Sequence, residues 1–287
     1  MDFASCVPIE KGWSGDRKYC VTDRSGARYL LRVMPGKNPG RCETTFRMMQ
    51  QVAALGVPMC CPVEIGRCGE GVYTLQTWVD GQDAEAVIPG LAAAEQYAYG
   101  CRAGESLRQI HRIPAPAGLP DWQTRFGAKI DRKIQLYRAC PIRFDGAEAI
   151  LAYLAANRGL LAGRPQTYQH GDYHIGNMML EQGRLVIIDF DRDDFGDPWE
   201  EFNRIVWCAQ ASPRFAAGMV DGYFPGGVPA RFWQLLALYI GSNTLSSVPW
   251  AIPFGTQEVQ TMLNQAADVL RWYDNMNRVV PGWYTGE

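Results

Sequence analysis

Residues 169–201 read QHGDYHIGNMMLEQGRLVIIDFDRDDFGDPWEE, and this stretch decides how the rest of the chain is understood. His170, Asp172, Asn177 and Asp189 fall within twenty positions, interrupted by one short apolar run. Gly171 and Gly176 let residues 170–177 turn tightly as a loop. Residues 178–180 and 185–188 read as two short strands around the polar turn Glu181-Gln182-Gly183. A hairpin of that kind sets Asn177 and Asp189 side by side at its open end, where one ion can bind both. Phosphoryl transfer from a nucleotide uses this set of groups. One carboxylate orients or accepts the proton of an attacking hydroxyl, while an amide oxygen and a second carboxylate hold the metal that neutralises the phosphates.

The pattern H-G-D-x-x-x-x-N at 170–177, followed by I-D-F-D at 188–191 and G-D-P at 196–198, resembles the aminoglycoside phosphotransferase family, a relative of the protein kinases and of choline kinase. The resemblance extends over nearly the whole chain. It implies an α+β, bilobal protein kinase-like fold. The N-terminal lobe, 1–80, would hold a five-stranded antiparallel sheet with one helix, and the C-terminal lobe, 81–287, would be larger and mainly helical. It implies Asp172 as the catalytic base with His170 supporting its loop, Asn177 and Asp189 as Mg2+ ligands, and Asp197 as a structural acid bracing the site. ATP or GTP is the implied co-substrate. His174 stays open between loop packing and a place behind the metal.

Upstream, 9–36 reads as three antiparallel strands, with Tyr19, Val21, Tyr29 and Val33 as β formers between turns at 12–16 and 23–26. In kinase-like folds the first turn covers the nucleotide phosphates, which makes Ser14 and Gly15 candidate phosphate donors. The third strand carries Arg32 where protein kinases carry Lys. Arg keeps its charge and can bind phosphate bidentately. Lys18 competes for the same role, and the sequence does not choose between them. A helix at 43–55 places Phe46, Met49, Val52 and Ala53 at helical spacing. Its Glu43 either pairs with Arg32 or is a surface acid. Strands at 63–66 and 71–79 complete the five. The run from Thr74 to Gly81 resembles the family's hinge, with backbone near Thr77 and Val79 meeting the base, a contact that does not separate ATP from GTP. Helices are predicted at 93–111, 126–137, 146–157, 199–211, 229–245 and 256–274, and a loose tail at 280–287.

Composition bounds the partners. With 28 basic and 30 acidic residues the net charge is −2, and no basic block is present, which argues against nucleic acid. No apolar run approaches a membrane span, and the first twelve residues lack the pattern of a secretory signal. Nine cysteines, an odd and irregularly spaced set without C-x-x-C, point to mostly buried thiols in a reducing cytoplasm, not to a disulfide scaffold or a zinc site.

The acceptor is a small-molecule hydroxyl. The favoured class is an aminoglycoside, a cationic substrate for which Asp193, Asp194, Glu200, Glu201 or Asp274 could line a pocket; otherwise the run 189–201 is a solvated acidic face. A choline-like alcohol, a sugar, a homoserine-like amino acid and a macrolide are alternatives, the last needing an apolar cleft from Trp233, Tyr239, Trp250, Trp272 and Tyr273. A nucleotide-binding regulator without catalysis is a further alternative. A protein kinase is the least favoured, because G-D-P arrives within eight residues of Asp189 and leaves little platform for a peptide.

Overall fold

The computed structural model describes residues 2–10, 15–69 and 71–285. Its first layer is a five-stranded antiparallel sheet: β1 (Phe3–Ile9), β2 (Arg17–Asp23), β3 (Arg28–Pro35), β4 (Pro62–Cys68) and β5 (Gly71–Thr77), ordered β1-β2-β3-β5-β4. The first strand lies upstream of the predicted start at Ile9, and its Pro8 is tolerated because β1 is an edge strand. Asp23 closes the β2–β3 turn, its Oδ1 accepting from the backbone N–H of Ser25 and Ala27 at 2.8 and 2.9 Å. One helix, α1 (Pro39–Ala54), covers the sheet. Asn38 caps it by accepting from Arg41 N, Pro39 supplies a pre-set φ in its first turn, and Phe46, Met49 and Val52 face inward.

The remainder is mainly helical. A two-residue strand β6 (Gln82–Asp83) leads to α2 (Ala84–Val87), α3 (Ala93–Ile110), α4 (Trp122–Ala139) and α5 (Ala147–Asn157). Strand β7 (Thr167–Gln169) delivers the chain to the loop at 170–177. The hairpin β8 (Met178–Glu181) and β9 (Arg184–Ile187) follows, then β10 (Asp194–Gly196), paired with β7. Gln182 and Gly183 both have positive φ, 50° and 76°, as a two-residue hairpin turn matched to strand twist requires. Then come α6 (Ile205–Ala211), α7 (Pro213–Tyr223), α8 (Ala230–Ala251), α9 (Thr256–Trp272) and α10 (Gly282–Thr285). The two parts meet where the chain between α1 and β4 runs along β9: Cys60 N donates to Ile187 O at 3.0 Å, and Ile187 N donates to Pro58 O at 2.9 Å.

Three differences from the sequence reading have local causes. The predicted helix at 199–211 begins as a 3₁₀ segment, Glu200–Arg204, because Glu200 and Glu201 turn inward and Asn203 Nδ2 donates to Glu200 O at 2.7 Å, competing with the helical ladder. Helix α7 was not anticipated, although Ser212-Pro213 announces it: Ser212 Oγ accepts from Phe215 N and Pro213 takes the first turn. The tail is not loose through Thr285, since α10 buries Trp283. Burial of the thiols is partial: Cys42, Cys60, Cys140 and Cys208 are buried, the other five are half-buried or exposed, and all nine are free. Burial pushes the Cys60 and Cys208 thiols up to about 12, which makes them inert packing groups. Of the aromatics considered for an apolar cleft, only Trp250 is exposed; Trp233, Tyr239, Trp272 and Tyr273 are core. Among the described residues no helix is long and apolar enough to cross a membrane.

Helices α3 and α7 touch backbone to backbone. A Cβ on Gly104 would lie 2.1 Å from Met219 O, and one on Gly218 would lie 2.2 Å from Tyr97 O. Neither carbonyl can yield without separating the helices. Gly104→Ala is therefore expected to lower the denaturant midpoint by at least ~2 kcal/mol equivalent, at the upper end of overpacking costs; an unshifted midpoint would show that the helices part freely.

Candidate active site

The loop from His170 to Asn177 is fixed from beneath by one carboxylate. Glu201, 1% exposed in its side chain, accepts from Gly171 N at 2.5 Å and from His170 N at 2.9 Å, and its Oε2 lies 3.0 Å from His111 Nε2. His111 Nδ1 in turn meets Tyr223 Oη at 2.9 Å. Two backbone donors of a buried turn are thereby satisfied, as burial demands. Gly171 has φ +85°, and a Cβ there would sit 1.8 Å from Arg192 O, so only glycine lets the loop pass this close to the following segment. His170 is fully buried. Its Nε2 faces Ile188 O at 2.9 Å, its Nδ1 accepts from Asp172 N at 3.3 Å, and its ring packs on Phe190 with centroids 4.5 Å apart. Both ring nitrogens are engaged in holding loop and hairpin together.

Asp172 projects from this support, its side chain 20% exposed, with Arg204 Nε at 3.2 Å, Arg192 Nε at 3.8 Å and His174 Nε2 at 3.8 Å. Burial drives His174 down to about 4 against the pull of Asp172, so its imidazole is neutral near pH 7. His174 Nδ1 accepts from Gly176 N, which makes it a turn-forming group. Asn177 Nδ2 donates to Asp172 O at 2.9 Å, and Ile188 N donates to Asn177 O at 3.0 Å. The hairpin thus sets Asn177 beside the start of the 188–191 segment.

Asp189 adopts φ 65°, an uncommon left-handed conformation for a non-glycine residue, and is held there by an ion cluster. Arg32, 6% exposed in its side chain, reaches Asp189 at 2.9 Å, Asp191 at 2.9 Å and Asp16 at 2.6 Å; Lys37 reaches Asp191 at 2.8 Å and Asp16 at 3.2 Å. Burial works to raise the Asp189 carboxyl, but the Arg32 guanidinium outweighs it and holds the group below the usual carboxylate range. Oxygen donors suit a hard divalent cation. Asn177 uses its amide nitrogen within the protein, donating to Asp172 O, and Asp189 accepts from Arg32 through Oδ1. An amide oxygen and a carboxylate are oxygen donors, so the donor set fits Mg2+ in type. Among the described residues no group of three or more His, Cys, Asp and Glu side chains forms a separate metal cage.

Lys18 and Arg32 are directly paired across β2 and β3, hence on one face of the sheet, and Lys18 also helps hold the Asp189 carboxyl down. The two cations considered as rival phosphate clamps are therefore neighbours. Glu43 is exposed on α1, and the carboxylate partners of Arg32 are the three aspartates instead. Asp16 and Asp191 hold Arg32, a pairing the sequence does not announce: Asp16 stands only at the end of a turn, and Asp191 only as the last residue of I-D-F-D. Gly15 is exposed; Ser14 and the rest of 11–14 lie outside the described residues. At the hinge, Thr77 N donates to Cys61 O at 2.9 Å and Thr77 Oγ1 accepts from Cys61 N at 2.8 Å.

Most of the acidic run after Asp189 is tied to the protein's own groups. Arg41 and Thr45 take Asp193, and Arg164 grips the fully buried Asp197 at 2.6 and 2.8 Å, where Tyr239 Oη and Trp199 N also donate. Glu200 accepts from Gln169 Nε2 at 3.2 Å. Only Asp194 is substantially open, and it is shared by Arg125 and Lys129.

Removing the Glu201 carboxylate strands two buried N–H groups and a buried imidazole. Glu201→Ala is expected to cost ~3 kcal/mol or more at ~1–3 kcal/mol per abandoned group. It should also raise amide exchange at His170 and Gly171 above that of α8; protection equal to wild type would overturn the clamp.

Comparison with known proteins agrees with this geometry. The fold is shared with a thermostable mutant of the aminoglycoside phosphotransferase APH(4)-Ia (TM-score 0.63, 17% identity, 94% of each chain). It is also shared with a choline/ethanolamine kinase family protein from Mesorhizobium loti (0.69, 16%, 96% of this chain and 92% of that one) and with the spectinomycin phosphotransferase APH(9)-Ia solved with ADP and spectinomycin (0.57, 13%, 100% and 90%). No curated protein matches the chain in sequence. The model of the phosphotransferase enzyme family matches residues 5–233, a span that includes Arg32, Asp172, Asn177, Asp189 and Glu201, and the chain belongs to that family.

Proposed function

We propose that the protein transfers the γ-phosphate of ATP or GTP to a hydroxyl of a small molecule, between a nucleotide-binding lobe, 1–80, and an acceptor-binding lobe, 81–287. One observation carries the reading: a single loop and hairpin bring Asp172, Asn177 and Asp189 into one hydrogen-bonded unit facing the cations of β2 and β3. Neighbouring folds solved with ADP or AMP-PNP and hygromycin B support a nucleotide co-substrate and a small-molecule acceptor. These ligands also support an aminoglycoside as the first class to assay, although Asp193, Glu200 and Glu201, three of the acids that could have held a polycation, serve the protein's own groups.

In the proposed step the acceptor oxygen bonds to the γ-phosphorus, the bond from that phosphorus to the β–γ bridging oxygen breaks, and the nucleoside diphosphate leaves. Asp172 orients the hydroxyl and takes up its proton, while Arg204 and Arg192 fix the carboxylate. Lys18 and Arg32 receive phosphate oxygens, and the Val79 backbone receives the base. Bound at Asn177 and Asp189, Mg2+ would neutralise phosphate charge. Positioning and charge stabilisation supply the acceleration, with no covalent enzyme intermediate.

Asp172→Ala is expected to lower kcat by ~10²–10⁴ while the nucleotide Kd stays within a few-fold of wild type, as loss of a general base predicts; undiminished turnover would sink the assignment. Asp189→Ala, or chelation of divalent cations in the wild type, should abolish metal-dependent nucleotide binding in titration calorimetry. A nucleotide affinity indifferent to both treatments would remove the metal from this site.

A further inference from the structure

On the side of Asp172 away from the sheet the protein gathers positive charge. Arg204 and Arg192 contact both carboxylate oxygens, as described above. Arg125, Lys129 and Lys133 recur every fourth residue on one face of α4, all half-buried. Arg125 and Lys129 share Asp194 at 3.5 and 3.6 Å. Among the described residues Lys133 has no carboxylate within ion-pair distance; its ammonium lies over the Phe126 ring, 5.9 Å from the centroid. Burial pushes Lys133 down to about 8, with Glu200 opposing and Arg204, Lys129 and Arg132 adding to the shift. Lys133 thus has the cations Arg204, Lys129 and Arg132 and the single carboxylate Glu200 around it, while Asp172 is taken by Arg204 and Arg192 and Asp194 by Arg125 and Lys129. Glu85 of α2 packs at Gly176 and pairs with none of them. A desolvated ammonium surrounded by like charge is a standing cost in the free protein, and an anion brought beside it would remove that cost.

We propose that the phosphoryl acceptor is an alcohol that also bears a carboxylate or phosphate group, held by Lys133, Lys129 and Arg204 while its hydroxyl meets Asp172. The proposal rests on the phosphotransferase reading and names its substrate class, in opposition to a polycation. Arg204 changes partner during the cycle: it pairs with Asp172 in the free protein and turns to the acceptor's anion as Asp172 takes up the proton. Lys129 and Lys133 are specificity residues that touch the non-reacting end of the acceptor.

The test uses the full chain with Mg-ATP and Mg-GTP in a nucleotide-consumption assay. The anionic arms are D-glycerate and D-gluconate for a carboxylate and glycerol 3-phosphate for a phosphate, set against glycerol, D-glucose, choline and kanamycin. Turnover is expected in an anionic arm, and which one identifies the anion. Lys133→Gln should raise the acceptor KM at least tenfold while the nucleotide KM stays within twofold, and Lys133→Arg should recover most of the loss. Because Lys133→Gln removes a desolvated charge, its melting temperature should not fall, which separates lost recognition from lost folding. Turnover confined to neutral or cationic acceptors, or an acceptor KM indifferent to Lys133→Gln, overturns the proposal. Calorimetry with AMP-PNP present distinguishes the two levels. Metal-dependent nucleotide binding without binding of any anionic probe sinks this inference alone. Absence of metal-dependent nucleotide binding sinks the phosphotransferase reading, and this inference with it.

Discussion

The guanidinium of Arg32, buried against Asp16, Asp189 and Asp191, is the contact on which the arrangement of the cleft depends. It belongs to the sheet, while two of its three partners belong to the segment after β9, so one side chain fixes the distance between the phosphate-facing strands and the candidate metal ligands. The contact also pins Asp189 in a left-handed conformation whose cost is on the order of 1–3 kcal/mol. That conformation turns the chain so that Phe190 lies on the His170 ring, and His170 in turn holds Ile188 and Asp172. Stripping one partner from a buried ion pair costs ~3–5 kcal/mol, so this cluster persists only as a set.

Beneath that cluster, acids act as struts. Glu201 completes the hydrogen bonds of the loop, Asp193 anchors α1 through Arg41, and Asp197 joins Arg164 to Tyr239 of α8. Each carboxylate is fully or nearly withdrawn from water, and a buried charge is tolerated only when paired and hydrogen-bonded. The same requirement explains why these acids are not free for a substrate: whatever satisfies them inside the protein exhausts their lone pairs.

The hairpin at 178–187, the five strands and the long helices were legible from the chain because each has a local signature: Gln182-Gly183 for the turn, β-branched and aromatic alternation for the strands, apolar spacing for the helices. Asp197 as a brace, expected from the family resemblance, sits in the structure as a buried, fully paired acid. What escaped was non-local. Nothing near Asp16 or Asp191 in sequence announces Arg32, 16 and 159 positions away. His111 ends its helix as read from the sequence, and it also joins a buried link through Glu201 to the loop that its sequence position does not reveal. The run 189–201 looked like a charged surface because sequence shows the acids and hides Arg41, Arg164 and the backbone N–H groups that neutralise them.

The cleft's two sides consequently differ in how their positive charge is kept. Arg32 on the nucleotide side is surrounded by aspartates, which raise its already high pKa, so it stays charged whether or not a phosphate is present. Lys133 has been denied that compensation: its counter-charge is one distant glutamate, and its neighbours are cations. A protein gains nothing in stability from such a placement, since a neutral side chain on α4 would avoid the desolvation entirely. Sites that carry a cost of this kind are where folding and binding requirements diverge. The acids Asp193, Asp197 and Glu201 carry no such cost, because each is paired inside the protein.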